Sequence, residues 1–283
     1  MADRRRWADL AGLSPFLLYV AVFLGAPTVV LAVGAFRGPD GWTLENLHAA
    51  FTGVYGQAFV VSTELSLISA VISAVVGLAV AFVISSAPDD GPLRQTVSTA
   101  SGVLANFGGV PLAFAFIAAF GPVGMATRWL AGNGVDISSF SLHLFDLSGL
   151  VVVYLYFQIP LMVLVILPAL EGLRPQWVEA ARSLGSSRFQ YWRLVGGPLL
   201  FPPFAGALLL LFANSFASYA TAAALTSGSI PLVPIQIGQV MSGNVAAGQE
   251  NVGKALGLGA IVLVALAMAG YGWAQRKTTR WLR

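Results

Sequence analysis

The chain has 283 residues, 57% of them hydrophobic and 10% charged, against roughly 25% charged in an ordinary soluble domain. That composition excludes a soluble globule, and the long apolar runs between sparse charges describe an all-α, multi-pass membrane protein. The net charge of +3 is no nucleic-acid surface, because the basic residues sit at the ends of apolar runs, and the lack of cysteine excludes disulfides, thiol chemistry and thiolate metal sites.

Taken in order, residues 1–13 form a short arm with Arg4, Arg5 and Arg6. The run Pro15–Phe36 is too long for the apolar core of a secretory signal and no small-residue cleavage site follows it, so it reads as a first membrane anchor. Arg37–Gln57 is a loop with turn residues Gly38, Pro39 and Gly41. The second span is placed at Ala58–Ser85, the turn Ala87–Gly91 follows, and the third span at Thr96–Phe120. A polar loop, Gly121–Ser148, leads to the fourth span at Gly149–Leu170. The polar stretch Glu171–Pro198 separates it from the fifth, Leu199–Leu225. Thr226–Asn251 is a loop with Pro231 and Pro234, and Val252–Trp273 is the sixth span. The expected organisation is an N-terminal arm at 1–13, a transmembrane domain at 14–275 and a C-terminal tail at 276–283.

Counting Lys and Arg on alternate sides tests this topology. One side collects twelve: Arg4, Arg5, Arg6, Arg94, Arg174, Arg182, Arg188, Arg193, Arg276, Lys277, Arg280 and Arg283. The other holds three, Arg37, Arg128 and Lys254. The positive side is the cytoplasmic one, so both termini and the stretch Glu171–Pro198 are expected there. The two three-span halves share neither loop lengths nor motifs. That argues against a self-contained carrier built from inverted repeats and for half of a pathway that needs a partner.

The stretch Glu171–Pro198 carries the densest signal. Pro175 suits the first turn of a helix, where a missing N–H costs nothing. Trp177, Val178, Ala181 and Leu184 then recur at helical spacing and are expected to form one apolar face. Gly185 stops the helix, Ser186 or Ser187 can cap a second one carrying Phe189, Trp192 and Val195, and Pro198 opens the next span. Local chemistry leaves two partners open: the membrane headgroups, or another protein.

The spacing Glu179-Ala180-Ala181, three residues, Gly185, nine residues, Val195, one residue, Pro198 resembles the EAA loop of bacterial ABC importer permeases. Val195 stands for the usual isoleucine and Gly197 for the usual leucine. Thr43-Leu44-Glu45-Asn46-Leu47, Ala105-Asn106-Phe107-Gly108-Gly109-Val110-Pro111 and Asn214-Ser215-Phe216-Ala217-Ser218-Tyr219-Ala220-Thr221 are similar to segments of the branch handling polyamines, ferric iron, thiamine and phosphonates. The resemblance implies a type I importer with six spans and a cytoplasmic coupling helix. Its partners would be two ATPase subunits, a second permease subunit (a different sibling) and an extracytoplasmic substrate-binding protein, in the bacterial inner membrane. Glu179, Ala180, Ala181, Gly185, Trp177 and Leu184 would meet the ATPase. No phosphate loop of the form G-x-x-x-x-G-K-[ST] occurs, so ATP and magnesium would be bound by the partner and no cofactor by this chain.

Within the spans, Glu64 lies about 9 Å inside a helix starting at Ala58, where a carboxylate is a functional hypothesis by default. It would attract a cationic solute or pair with a basic group of the partner permease, and a later helix start would instead put it at the headgroups. Asn106, Gln158, Asn214 and Tyr219 are candidates for lining the solute path, against interhelical hydrogen bonding. Pro111 and Pro160 are expected to mark kinks, and Gly253, Gly257, Gly259 and Ala260 to serve helix packing. His48 and His143 read as isolated loop residues. No nucleophile with a base and no paired carboxylates are present, so a membrane-embedded enzyme is disfavoured. A sugar-type importer permease, or a self-contained channel or carrier, are the remaining alternatives.

Overall fold

The chain is described from a computed structural model, which places residues 13–39, 41–88, 91–135, 137, 143–243 and 250–279, with side chains to residue 272. The expected basic arm with Arg4, Arg5 and Arg6, the tail residues Arg280 and Arg283, and the side chains of Arg276 and Lys277 lie outside the described residues.

Helix α1, Leu13–Ala35, widens into a π-turn at Ala21–Gly25. A two-residue hairpin pairs β1 (Arg37–Gly38) with β2 (Gly41–Trp42) antiparallel. Then come α2 (Glu45–Ala50), α3 (Gly53–Ser85), α4 (Pro92–Asn106), α5 (Val110–Phe120) and α6 (Met125–Gly132). Next follow α7 (Leu147–Glu171), α8 (Pro175–Ser183) and α9 (Arg188–Ala217), the last with a π-turn at Trp192–Gly196. The chain closes with α10 (Ala220–Thr226), α11 (Val233–Met241) and α12 (Glu250–Thr279). Among the described residues, six segments are long and apolar enough to cross a membrane: Leu13–Ala35, Gly53–Ser85, Val110–Gly132, Leu147–Glu171, Arg188–Ala217 and Glu250–Gly272.

Two expected spans are not single helices. Thr96–Phe120 is interrupted at residues 107–109, so that α4 and α5 are separate, and the apolar segment Val110–Gly132 joins α5 to α6 across a turn. Gly109 adopts φ 76°, a region open to glycine and costly for residues with a Cβ. Pro111 therefore does not kink a helix but opens α5 in its first turn. The fifth span, expected at Leu199–Leu225, ends as a helix at Ala217, and α10 starts after the extended Ser218. Pro160, expected at a kink, lies inside α7, which remains helical across it. Helix α3 begins at Gly53, earlier than the expected Ala58.

Contacts divide the chain into two compact units, Met1–Phe59 with Gln236–Leu263, and Val60–Ile235 with Val264–Arg283. In the first unit the small residues of α12 allow close approach, as expected. A Cβ at Gly253 would lie 2.9 Å from Val240, and one at Gly259 2.8 Å from the Phe59 ring. Two amides fasten the turn after α1: Asn46 donates to the Arg37 carbonyl at 2.9 Å and Asn251 to the same oxygen at 2.8 Å.

In the second unit α3, α7 and α9 pack through Ala70, Ala74 and Ala81, Met162, Val163 and Ile166, and Ala207 and Leu211. A Cβ at Gly77 would sit 2.6 Å from the Met162 side chain, so glycine sets how closely α3 approaches α7. Small residues do this work in membranes, where dispersion contacts between backbones replace the hydrophobic effect. Ser62, Ser66, Ser69 and Ser73 form a buried stripe on α3. Their spacing of three and four residues puts them on one helix face. Ser66 and Ser69 return their hydroxyls to the carbonyls four residues back, at 2.6 and 2.7 Å.

Candidate functional site: a surface helix and a notch at two helix breaks

The stretch Glu171–Pro198 folds by local rules. Arg174 is extended, Pro175 opens α8, and the helix ends at Gly185 with φ 76°. The Gly185 N–H donates to the Arg182 carbonyl at 2.9 Å and the Ser186 N–H to that of Ala181 at 2.9 Å. This is the paired closure that satisfies a helix's last carbonyls and needs a left-handed residue, here glycine. Ser187 then opens α9 with a reciprocal box: the Gln190 N–H donates to Ser187 Oγ at 3.2 Å, and the Ser187 N–H to Gln190 Oε1 at 2.8 Å.

Most of α8 is exposed. Val178 and Ala181 are half-buried, while Trp177 (38%) and Leu184 (87%) are exposed with Glu179 and Ala180. Part of the expected apolar face is thus covered by this chain and part of it, Trp177 and Leu184, is left open. Val178 and Ala181 meet the rest of the unit, and Leu184, at the helix end, lies open. Behind α8, Arg94 at the start of α4 is ion-paired with Glu171 at the end of α7.

The second feature lies where the two interrupted spans meet. The Gly109 N–H donates to Thr221 Oγ1 at 2.8 Å, and Tyr154 Oη donates to the Ser218 carbonyl at 2.9 Å. Each bond satisfies a backbone group freed by a helix break. Such breaks are tolerated at membrane depth where protein or a cavity covers them. Here they border a notch of about 290 Å³ lined by Asn106, Gly108, Gly109, Phe157, Asn214, Ser218 and Thr221. Its lining is uncharged and offers amides, hydroxyls and backbone groups, which can replace part of a solute's hydration.

The expected path residues separate accordingly. Asn106 and Asn214 share the notch, and Asn106 also donates to the Gly102 carbonyl at 2.9 Å. Tyr219 is half exposed at the break before α10. Gln158 is off the notch: it is fully buried, and its Nε2 donates to Ser69 Oγ at 3.1 Å, which lies 3.0 Å from Ser215 Oγ. Interhelical bonding is its role here. Glu64 is exposed on α3, eleven positions after Gly53, on a side shared with Val60, Leu67 and Val71, so it faces away from this chain's own core. Thr221, Ser218 and Gly109 were not singled out from composition. The Gly108-Gly109 doublet before Pro111 was the signal available for them. His143 is not isolated, since its Nδ1 lies 2.8 Å from Asp146 Oδ2 at the start of α7. Among the described residues no group of three or more His, Cys, Asp or Glu could hold a metal ion.

The chain, with a surface helix between the fourth and fifth of six apolar segments, has the fold of an ABC importer chain of solved structure. It aligns with a chain of a bacterial ABC transporter involved in the import of the acidic polysaccharide alginate, with a TM-score of 0.71 over 98% of this chain and 96% of that one, at 18% identity. A second structure, of the bacterial alginate ABC transporter in complex with a pentasaccharide-bound periplasmic protein, gives 0.75 at 17% identity, again over 98% and 96%. By sequence the chain is 24% identical over 275 residues to a probable sulfate transport system permease protein of Nephroselmis olivacea, covering 94% of this chain and 89% of that protein. It is 24% identical over 216 residues to a sulfate transport system permease protein of Synechocystis, covering 76% and 73%. A putative ferric transport system permease protein of Haemophilus influenzae is 24% identical over 270 residues, or 93% of this chain and 41% of that one. No family model matches the chain. The chain thus has the fold of these ABC importer chains and resembles transport-system permeases in sequence, with six segments apolar and long enough to span a membrane.

Proposed function

We propose that this chain forms half of the inward pathway for a small polar or charged solute and couples it to a cytoplasmic ATPase through α8. The observation that carries the reading is the continuity of α9. It starts at the capping box behind α8 and ends at Ala217, on the rim of the notch. At 1.5 Å per residue its 30 residues span roughly 45 Å, so one helical segment, with a π-turn at Trp192–Gly196, reaches from the coupling loop to the solute path. A push on α8 is delivered to the notch as a rigid-body movement.

The charge count supports a cytoplasmic position for α8 and both termini. The complete importer then comprises two ATPase subunits, a second permease, taken as a different sibling, and an external binding protein, in a bacterial inner membrane. A solute of the polyamine, phosphonate, ferric iron or thiamine class suits a notch of neutral donors and acceptors, with Glu64 facing the partner subunit. The names of the relatives add sulfate to that range. A polysaccharide importer is a second reading, favoured by the alginate transporters' similar fold.

The test is purification of the assembled complex and ATP-driven uptake in vesicles. Glu179→Arg is expected to abolish ATPase co-purification, because a cation on the exposed face of α8 replaces the carboxylate that the partner groove receives. Intact assembly with wild-type uptake would overturn the coupling role. Identifying the solute held by the cognate binding protein tests the substrate class separately.

A further inference from the structure

We propose that the slot between α3 and α9 is a binding site for an anionic phospholipid, with an acyl chain between the helices and its phosphate on Arg182 and Arg188. The slot has a volume of about 650 Å³ and apolar walls that include Leu78, Phe82, Leu200 and Phe204. That size falls within the ~300–1,000 Å³ of small-molecule sites. It lies where α3 approaches its C-terminal end and α9 begins, so it opens at the end of the bundle that carries α8. There it adjoins a polar cleft of about 240 Å³ lined by Arg182, Ser186, Ser187 and Arg188. The two spaces share Phe82 and Trp192, whose rings meet edge-on with centroids 5.5 Å apart.

Four observations point to an amphiphilic anion. The apolar slot and the basic cleft meet at the shared Phe82 and Trp192 side chains, an arrangement that suits one tail and one headgroup. Among the described residues neither Arg182 nor Arg188 is ion-paired with a carboxylate, so both guanidiniums are available to phosphate. Basic pockets between spans near a membrane surface are suited to anionic headgroups. The slot's wall is also shaped by the π-turn of α9, where a Cβ at Gly196 would meet the Trp192 ring at 2.8 Å. Glycine there lets the indole lie against the helix and form the edge between tail and headgroup. On α8 the cleft is lined by Val178, Ala181 and Arg182, whereas Glu179, Ala180 and Leu184 do not line it. Glu179 can therefore be altered without changing the lining of the cleft, while Ala181 belongs to both the cleft and the coupling set.

The experiment places the purified permease–ATPase complex in an equal mixture of phosphatidylcholine and phosphatidylglycerol and measures retained lipid by native mass spectrometry. Phosphatidylglycerol is expected to be retained over phosphatidylcholine by at least roughly tenfold, the size expected for two arginines at an anionic surface. Arg182→Gln with Arg188→Gln is expected to abolish that preference, and Ala79→Trp, which fills the slot, to lower retention of both lipids. The arginine variants lie outside the spans and keep the test open should the tryptophan variant fail to assemble. Equal retention of the two lipids, or unchanged retention in the arginine variants, overturns the proposal. So does displacement of phosphatidylglycerol by glycerol phosphate alone, which would mark a free-anion site. Glu179→Arg, which separates the ATPase, is expected to keep the lipid, so failure of the coupling reading and failure of this one are distinguishable. Lipid lost together with the ATPase overturns the lipid site.

Discussion

The surface helix α8 and the notch are built on opposite length scales. The hydrogen bonds that close α8 and open α9 join residues five positions apart or fewer, such as Ser186 to Ala181 and Ser187 to Gln190. Those around the notch join Gly109 to Thr221 across 112 positions and Tyr154 to Ser218 across 64. A locally closed helix keeps its shape while it is moved, which is what a lever requires. A site closed by distant elements changes shape when any of them moves, which is what a gated path requires. Helix α9 belongs to both and joins them.

The largest expected effect breaks the lever alone. Gly185 sits at φ 76° with open space around it, so Gly185→Trp meets backbone strain and no clash. Forcing a side chain into the left-handed region costs about 1–3 kcal/mol and is expected to unwind the last turn of α8. ATPase co-purification should be lost while the thermal midpoint of the isolated permease shifts little. A large fall in that midpoint would show that α8 is not a local unit. The notch is broken next. Asn106→Leu with Asn214→Leu removes two polar partners of a desolvated solute, each worth about 1.5–3 kcal/mol if the solute is charged. Uptake is expected to fall at least roughly tenfold with ATPase co-purification unchanged. Uptake within error of wild type would remove the notch from the path.

The same contrast explains what could be read before any coordinates. The α8 start and the glycine stop follow from residues adjacent in sequence, so Pro175 and Gly185 could be assigned their places directly and the next cap narrowed to Ser186 or Ser187. The sidedness of Trp177 and Leu184 could not, because which part of a wide apolar arc is covered depends on α3 and α9. Both helix breaks were concealed by hydropathy, since Phe107 and Val110 on one side and Ala217 and Ala220 on the other keep the runs apolar. For Gln158 the sequence left solute path and interhelical bonding both open, for a related reason. An amide in a span reads the same whether it lines a cavity or meets Ser69, and only the register of α3 against α7 decides.

Glu64 sharpens the comparison at smaller amplitude. Its exposure on α3 directs it outward from this chain, toward lipid or, in the proposed assembly, a second permease. A bare carboxylate facing hydrocarbon is expensive, which favours the partner. Glu64→Gln keeps the shape and removes the charge, so uptake is expected to fall severalfold with assembly and basal ATP hydrolysis intact. Unchanged uptake kinetics would return the residue to the headgroup region.

The smallest effect tests whether the serine stripe serves structure rather than transport. Gln158 gives its Nε2 to Ser69, while its Oε1 is buried with no partner among the described residues. Ser69→Ala would leave the amide unpaired at both ends and should destabilise, whereas Gln158→Leu removes donor and orphan acceptor together and should be nearly neutral. In the Gln158→Leu background Ser69→Ala should cost less, because the amide it would strand has gone. The coupling in that double-mutant cycle is expected near 0.6 kcal/mol, the average for interhelical hydrogen bonds in a membrane. It is measurable as the non-additive part of the thermal shifts, with uptake per folded complex unchanged. A coupling near zero would mean that the bond contributes nothing to the bundle. Lost uptake in stable Gln158→Leu protein would return Gln158 to the solute path from which its burial removes it.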